Sequence, residues 1–153
     1  MTITLEAIKA EHTKIGEMIA IFEKQAPTEH HIAAATIPLA AGERFAGPIL
    51  NDDGTLSHYV ILLPGEAEEV NWADACKWAE EKGGVLPDRS EQSLLYTNLK
   101  AEFQEAWYWS GQAHERESGW AWFQHFGDGT QTCDDRHDEL RARAVRRFIP
   151  SVI

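Results

Sequence analysis

The chain has 153 residues, with 14 Lys and Arg against 25 Asp and Glu, for a formal net charge of -11. That length suits one domain, or one domain plus an appended element, and it supports a core that folds without disulfides or metal. The charge disfavours nucleic-acid phosphates and anionic membrane surfaces as direct partners. There is no leader-like apolar segment and no apolar run of membrane-spanning length, so a soluble, cytoplasmic protein with no cofactor is expected.

The first element is helical. Leu5, Ile8, His12, Ile15, Ile19 and Phe22 are spaced 3, 4, 3, 4 and 3 apart, an a/d heptad seam along about 27 Å of helix. Thr4 is placed to cap it, and His12 is the one polar seam residue, able to set register or strand number. An amphipathic helix packed on its own domain gives a similar stripe. The narrowness of this one, with only Met18 and Ile21 beside the seam, favours self-association, so residues 1–25 are read as an oligomerisation helix.

Residues 26–39 read as a linker, with Pro27 and the polar His30 and His31, followed by at best an edge strand over Ile32–Leu39 that Pro38 interrupts. Adjacent histidines without further ligands are read as linker, not as a metal site. The main domain is assigned to residues 40–153.

In that domain, Arg44–Leu50 and Ser57–Leu63 flank Asp53-Gly54, a hairpin signal. Tyr59–Leu63 is a continuous apolar run suited to a strand buried on both faces. Asn71 caps a helix that puts Trp72, Ala75, Cys76 and Ala79 on one face and stops at Gly83-Gly84. Cys76 is then a buried thiol acting as a small hydrophobe. Asp88 or Ser90 caps a second helix, with Glu91 placed for a capping box on Asp88. Its stripe is Leu94, Leu95, Leu99 and Phe103, and its end falls near Phe103.

The rest is strand-like. Trp107-Tyr108-Trp109 is expected to end at Ser110-Gly111. In WAWFQHF, Trp120, Trp122, Gln124 and Phe126 alternate with Ala121, Phe123 and His125. Gly127-Asp128-Gly129 turns the chain into residues 130–133, and Leu140–Ile149 forms one closing strand. The class is α+β, with two helices on short antiparallel strands.

The segments ILLPGEAEEVNWADACKWA, GGVLPDRSEQSLL, AWYWSG, GWAWFQHFGDG and LRARAVRRF, in that order over roughly residues 40 to 150, resemble phage and bacterial domains with a C-type-lectin-like fold. The resemblance implies a variable binding surface between the WYWSG strand and the Arg-rich strand, here Gln112 to His137. Calcium-dependent sugar-binding lectins of this fold carry Glu-Pro-Asn or Gln-Pro-Asp and Trp-Asn-Asp triplets; this chain has neither, so calcium-dependent sugar binding is not expected. The cysteine setting of formylglycine-generating relatives is missing too, and a cytoplasmic setting favours Cys76 and Cys133 as two free thiols, with a pairing between them left open by the sequence.

Individual chemistry candidates are weak. Asp134, Asp135, His137, Asp138 and Glu139, with His114 and His125 upstream, mix oxygen and imidazole donors, but without the spacing of a known metal motif they read as a solvated acidic loop. Arg141, Arg143, Arg146 and Arg147 are read as partners for neighbouring carboxylates, not phosphate. Ser110 lacks a nucleophile elbow, and Asp134 and Asp135 disfavour a Cys133 thiolate, so no catalytic residue is assigned. Trp120 and Trp122 are read as core.

The ligand-binding surface is assigned to Gln112, His114, Glu115, Arg116, Gln124, His125, Asp128, Gln131, Asp134 and His137, with Glu117 alongside, a mixture suited to protein or glycan recognition. The expectation is a non-enzymatic, phage-type binding module on a trimeric helical stem, binding a host or phage protein or a glycan. It would sit in the host cytoplasm or on a virion. The alternative is an acidic intracellular inhibitor of a host defence complex, resembling an anti-CRISPR and mimicking nucleic acid through Glu66, Glu68 and Glu69.

Overall fold

In the computed structural model, which describes residues 2–25 and 29–151, the chain divides into two units, Met1–Ala34 and Ala35–Ile153. The first carries α1, Leu5–Gln25. Thr4 caps it as expected, its Oγ1 accepting the Ala7 N–H at 3.2 Å. No described residue of α1 is buried, and Leu5, Ile8, Ile15, Ile19 and Phe22 are each more than half exposed. The beginning of the expected linker, residues 26–28, lies outside the described residues.

The second unit is a mixed α+β domain with two sheets. Its elements are β1 (Arg44–Leu50), β2 (Leu56–Leu62), β3 (Ala67–Val70), α2 (Trp72–Glu81), α3 (Arg89–Leu99), a 3-10 turn (Lys100–Glu102), β4 (Trp107–Ala113), β5 (Trp120–His125), β6 (Gln131–Asp135), β7 (Leu140–Ala142) and β8 (Val145–Phe148). One sheet has the order β1-β2-β8 and the other β3-β7-β4-β5-β6. All pairings are antiparallel except the short β4–β7 contact at Tyr108 and Arg141.

Local chemistry explains most of the boundaries. In the β1–β2 turn, Asp53 Oδ1 accepts from the Thr55 hydroxyl and N–H, and these bonds hold the Asp53 carboxyl below its ordinary range. Asn71 caps α2 by accepting the Asp74 N–H at 2.9 Å. The helix stops in a Schellman arrangement: the Gly84 N–H bonds Ala79 O, the Gly83 N–H bonds Glu80 O, and Gly83 sits at φ +84°. Asp88 and Glu91 form the reciprocal capping box of α3. Pro48 is tolerated in β1 because that strand is an edge.

Four expectations are corrected. No strand forms over residues 32–39; Pro38 denies a ladder donor, and its carbonyl is instead taken by Arg146 Nη2 at 2.7 Å. Helix α3 ends at Leu99, four residues early, and the chain tightens into the 3-10 turn before Phe103. Strand β4 runs through Ser110-Gly111 to Ala113. Gly111 is needed there because a Cβ would lie 2.8 Å from Leu86 O. The closing strand is two strands in different sheets. Between them Arg143 turns inward, 8% exposed, to donate to Glu102 O (2.5 Å) and Leu63 O (3.1 Å).

Two apolar clusters fill the domain. Helix α2 covers one, built on Leu63, Ala75, Ala79, Trp109, Ala121 and Phe123. Helix α3 covers the other, built on Val60, Leu62, Leu95, Tyr108, Phe126 and Val145. Val60–Leu63 is buried as the apolar run requires. Cys76 packs against the first cluster but is only partly buried; burial, then the Glu80 charge, pushes its thiol pKa up. Cys76 and Cys133 are both free.

Candidate functional site

The assigned loop residues do not form one surface. Their largest grouping surrounds Trp122, on β5. The His114 ring stacks on Trp122 with centroids 5.7 Å apart, and it meets Trp120 edge-on at 6.0 Å. The Arg89 guanidinium lies 3.6 Å over the Trp122 ring, close enough for a strong cation–π contact. Arg89 is fixed in that pose by Gln131, whose Oε1 accepts from Arg89 Nε at 3.1 Å, while Gln112 Oε1 accepts the Arg89 backbone N–H at 2.7 Å.

The turn beside this stack is built on an imidazole. His114 Nδ1 accepts the N–H groups of Arg116 (3.1 Å) and Glu117 (2.9 Å), which leaves the proton of the neutral ring on Nε2. Nε2 lies 3.9 Å from the Glu115 carboxylate. The Glu115 carboxyl is held below its ordinary range, first by its own backbone N–H. The Trp122 indole N–H is buried and meets no acceptor in hydrogen-bond geometry among the described residues.

Trp120 departs from the core reading: it is 40% exposed, next to this stack. Arg136 borders it, donating from Nε to Trp120 O at 3.2 Å and lying over the Trp72 ring at 4.7 Å. Arg89, Trp120 and Arg136 are the contact residues that sequence reasoning missed. Arg89 opens a helix and Arg136 sits in an acidic run, and neither position carries a local signal.

Gln124 is corrected outright. It is 1% exposed, its Nε2 donates to Gln92 O and its Oε1 accepts from Gln131, so it belongs to the core. The alternation of WAWFQHF itself holds, with Ala121 and Phe123 in one cluster and Phe126 in the other; Gln124 is buried because α3 covers its face. Gln131 is half-structural for the same reason, spanning Arg89, Ser93 and Gln124.

The remaining residues lie in separate turns. His125 packs edge-on against Trp107 at 4.8 Å, and its Nδ1 accepts the Gly127 N–H. Asp128 bonds the Thr130 N–H, which holds its carboxyl below the ordinary range. Asp134 Oδ1 accepts the Asp135 N–H, and Asp135 in turn bonds the exposed His137 ring at 2.8 Å. Among the described residues no group of three or more His, Cys, Asp or Glu is placed to hold a metal ion.

A partly buried polar network, centred on the buried Glu91, lies elsewhere in the domain. Ser57 Oγ meets His58 Nδ1 at 2.9 Å, and His58 Nε2 meets Glu91 Oε2 at 3.0 Å. The order hydroxyl, imidazole, carboxylate invites comparison with a catalytic relay. Here, however, Glu91 is saturated by Arg147 and by the Asp88 N–H, and the network ties α3 to β2 and β8. Of the acidic residues assigned to nucleic-acid mimicry, Glu66 accepts from the Tyr108 hydroxyl, and Arg141 Nη1 lies 3.6 Å from Glu66 and 3.2 Å from Glu68.

The chain matches no known protein-family model, and no curated protein matches it. Among the described residues no helix is long and apolar enough to cross a membrane.

Proposed function

We propose that the protein is a binding module of C-type-lectin-like type, whose domain presents the Arg89–Trp122–His114 stack and the adjacent Trp120 to a protein or glycan while α1 joins several copies. The observation that carries this reading is the apolar seam of α1. In proteins most helices gain their stability by packing an apolar face, and not from propensity alone. Among the described residues of its own unit, that face of α1 meets no cover from Leu5 to Phe22. Its natural cover is a second copy. The helix carries four Glu and three Lys, a net single negative charge, whereas the remaining residues hold ten of the chain's eleven. Like copies therefore repel least along α1.

The Trp120 face suits recognition because a large amphipathic ring is held by rigid neighbours and loses little conformational freedom on binding. The polyanion-mimic reading is less well supported, since Arg141 already pairs with Glu66 and Glu68. We read the module as non-enzymatic and as acting on a virion or in a host cell.

Solution mass by light scattering tests the reading, on the full chain and on an Ile8→Glu, Ile15→Glu variant. A multimer that becomes monomeric with unchanged domain melting is the expected result, and a monomeric wild type overturns the stem. For the recognition face, glycan-array binding that persists in high salt and disappears in Trp120→Ala is expected. Binding unaffected by Trp120→Ala moves the face elsewhere.

A further inference from the structure

We propose that the α1 stem binds one divalent transition-metal ion, such as Zn2+, through His12 of three copies. The proposal rests on the self-association reading and deepens it. In the heptad frame Leu5, His12 and Ile19 occupy a positions, and Ile8, Ile15 and Phe22 occupy d positions. Leu or Ile at a with Ile at d favours three or four strands over two. In a parallel bundle equal positions meet in one layer, so His12 faces His12 across the axis, between layers of Ile8 and Ile15.

That layer has a chemical problem that a metal resolves. Each neutral imidazole brings one donor and one acceptor into an apolar surround, where unpaired polar atoms are costly. Three converging ring nitrogens are a good donor set for Zn2+, Ni2+ or Cu2+, and three protein ligands leave a fourth position for water along the axis. Glu11 lines the same concavity of α1 as Ile8, His12 and Ile15, which places a carboxylate at the edge of the seam to accept the second ring N–H. A single chain cannot build this site, since no metal-competent cluster occurs among its described residues. It exists only in the assembly.

The test titrates zinc chloride alone into the full chain and into a His12→Ile variant, reading solution mass, helix melting by circular dichroism and metal content after dialysis. The expected result is a zinc-dependent shift of the wild type towards the trimer, or a raised melting point of an existing trimer, with one ion retained per three chains. His12→Ile is expected to trimerise without zinc and to ignore it. His30, His31 and the other histidines are common to both proteins, so zinc held by them appears in both. The proposal is overturned if zinc leaves the wild-type trimer unchanged, or if it acts equally on His12→Ile. Wild type and variant both monomeric, with and without zinc, would instead sink the stem reading and this site with it.

Discussion

Arg147 grips Glu91 through two N–H···O bonds, of 2.6 and 3.1 Å, around a carboxylate side chain with no exposed surface. Burial opposes ionisation of Glu91. The Arg147 hydrogen bonds and charge, the Asp88 N–H and His58 override it, and the carboxyl sits below its ordinary range. The pair links α3 to β8, so one interaction holds a helix on the small sheet.

A folded-state pKa below the unfolded value of about 4.3 means that this stabilisation is complete above that value. It is lost as the pH falls through the lower, folded one. Thermal melting across acid pH is expected to show a steep loss of stability below about pH 4 that is flattened in Glu91→Gln. At neutral pH the same substitution leaves the half-exposed Arg147 guanidinium without its anion. It should cost about 3 kcal/mol, near the lower end for a broken buried pair because Arg147 is partly in solvent.

The Tyr108 hydroxyl donates to Glu66 and accepts the Gln104 N–H at 2.9 Å. Burial, then the Glu66 bond, pushes its pKa up. The neutral phenol is thus favoured by folding, and its contribution is present below about pH 10 and lost as the pH rises further. An alkaline absorbance titration is expected to lose its latest tyrosinate step in Tyr108→Phe. Urea unfolding of that variant at neutral pH should show a loss of about 1–2 kcal/mol, since the Gln104 N–H loses its acceptor.

Gln131 supplies the donor to the buried Gln124 Oε1 at 2.7 Å. Gln131→Ala is expected to lower stability by about 2 kcal/mol through that stranded acceptor, and to free Arg89 to leave the Trp122 ring. Near-ultraviolet circular dichroism reads the second effect and denaturant midpoints the first. His137→Ala, on an exposed ring, should stay within about 0.5 kcal/mol of wild type. Equal effects from the two would contradict the division of the loop residues into packed and exposed.

What the sequence made legible is what local chemistry decides. The caps at Asn71 and Asp88, the Asp53-Gly54 turn and the buried run ending at Leu63 all depend on neighbours within a few positions. The misses depend on distant ones. The AEEV segment that forms β3 reads as polar because it is short and pairs only with β7. Gln124 looks like a surface amide until Gln92, 32 positions away, appears beside it. Glu91 was legible as a cap but not as a buried ion, because nothing near it announces Arg147. The stack on Trp122 fails for the same reason: Arg89 and His114 meet only when α3 is laid against the β4–β5 pair.

The break at Arg143-Ala144 also bears on how the chain is made. Strand β2 finds its second neighbour only in β8, and β4 finds its second neighbour only in β7. During synthesis both strands emerge long before residues 140–148 and must wait with one edge of backbone groups open. Sheet completion is therefore a late and non-local event, of the kind that slows folding. A translational pause before residue 140 would prolong the interval in which the nascent protein is prone to stick to its neighbours.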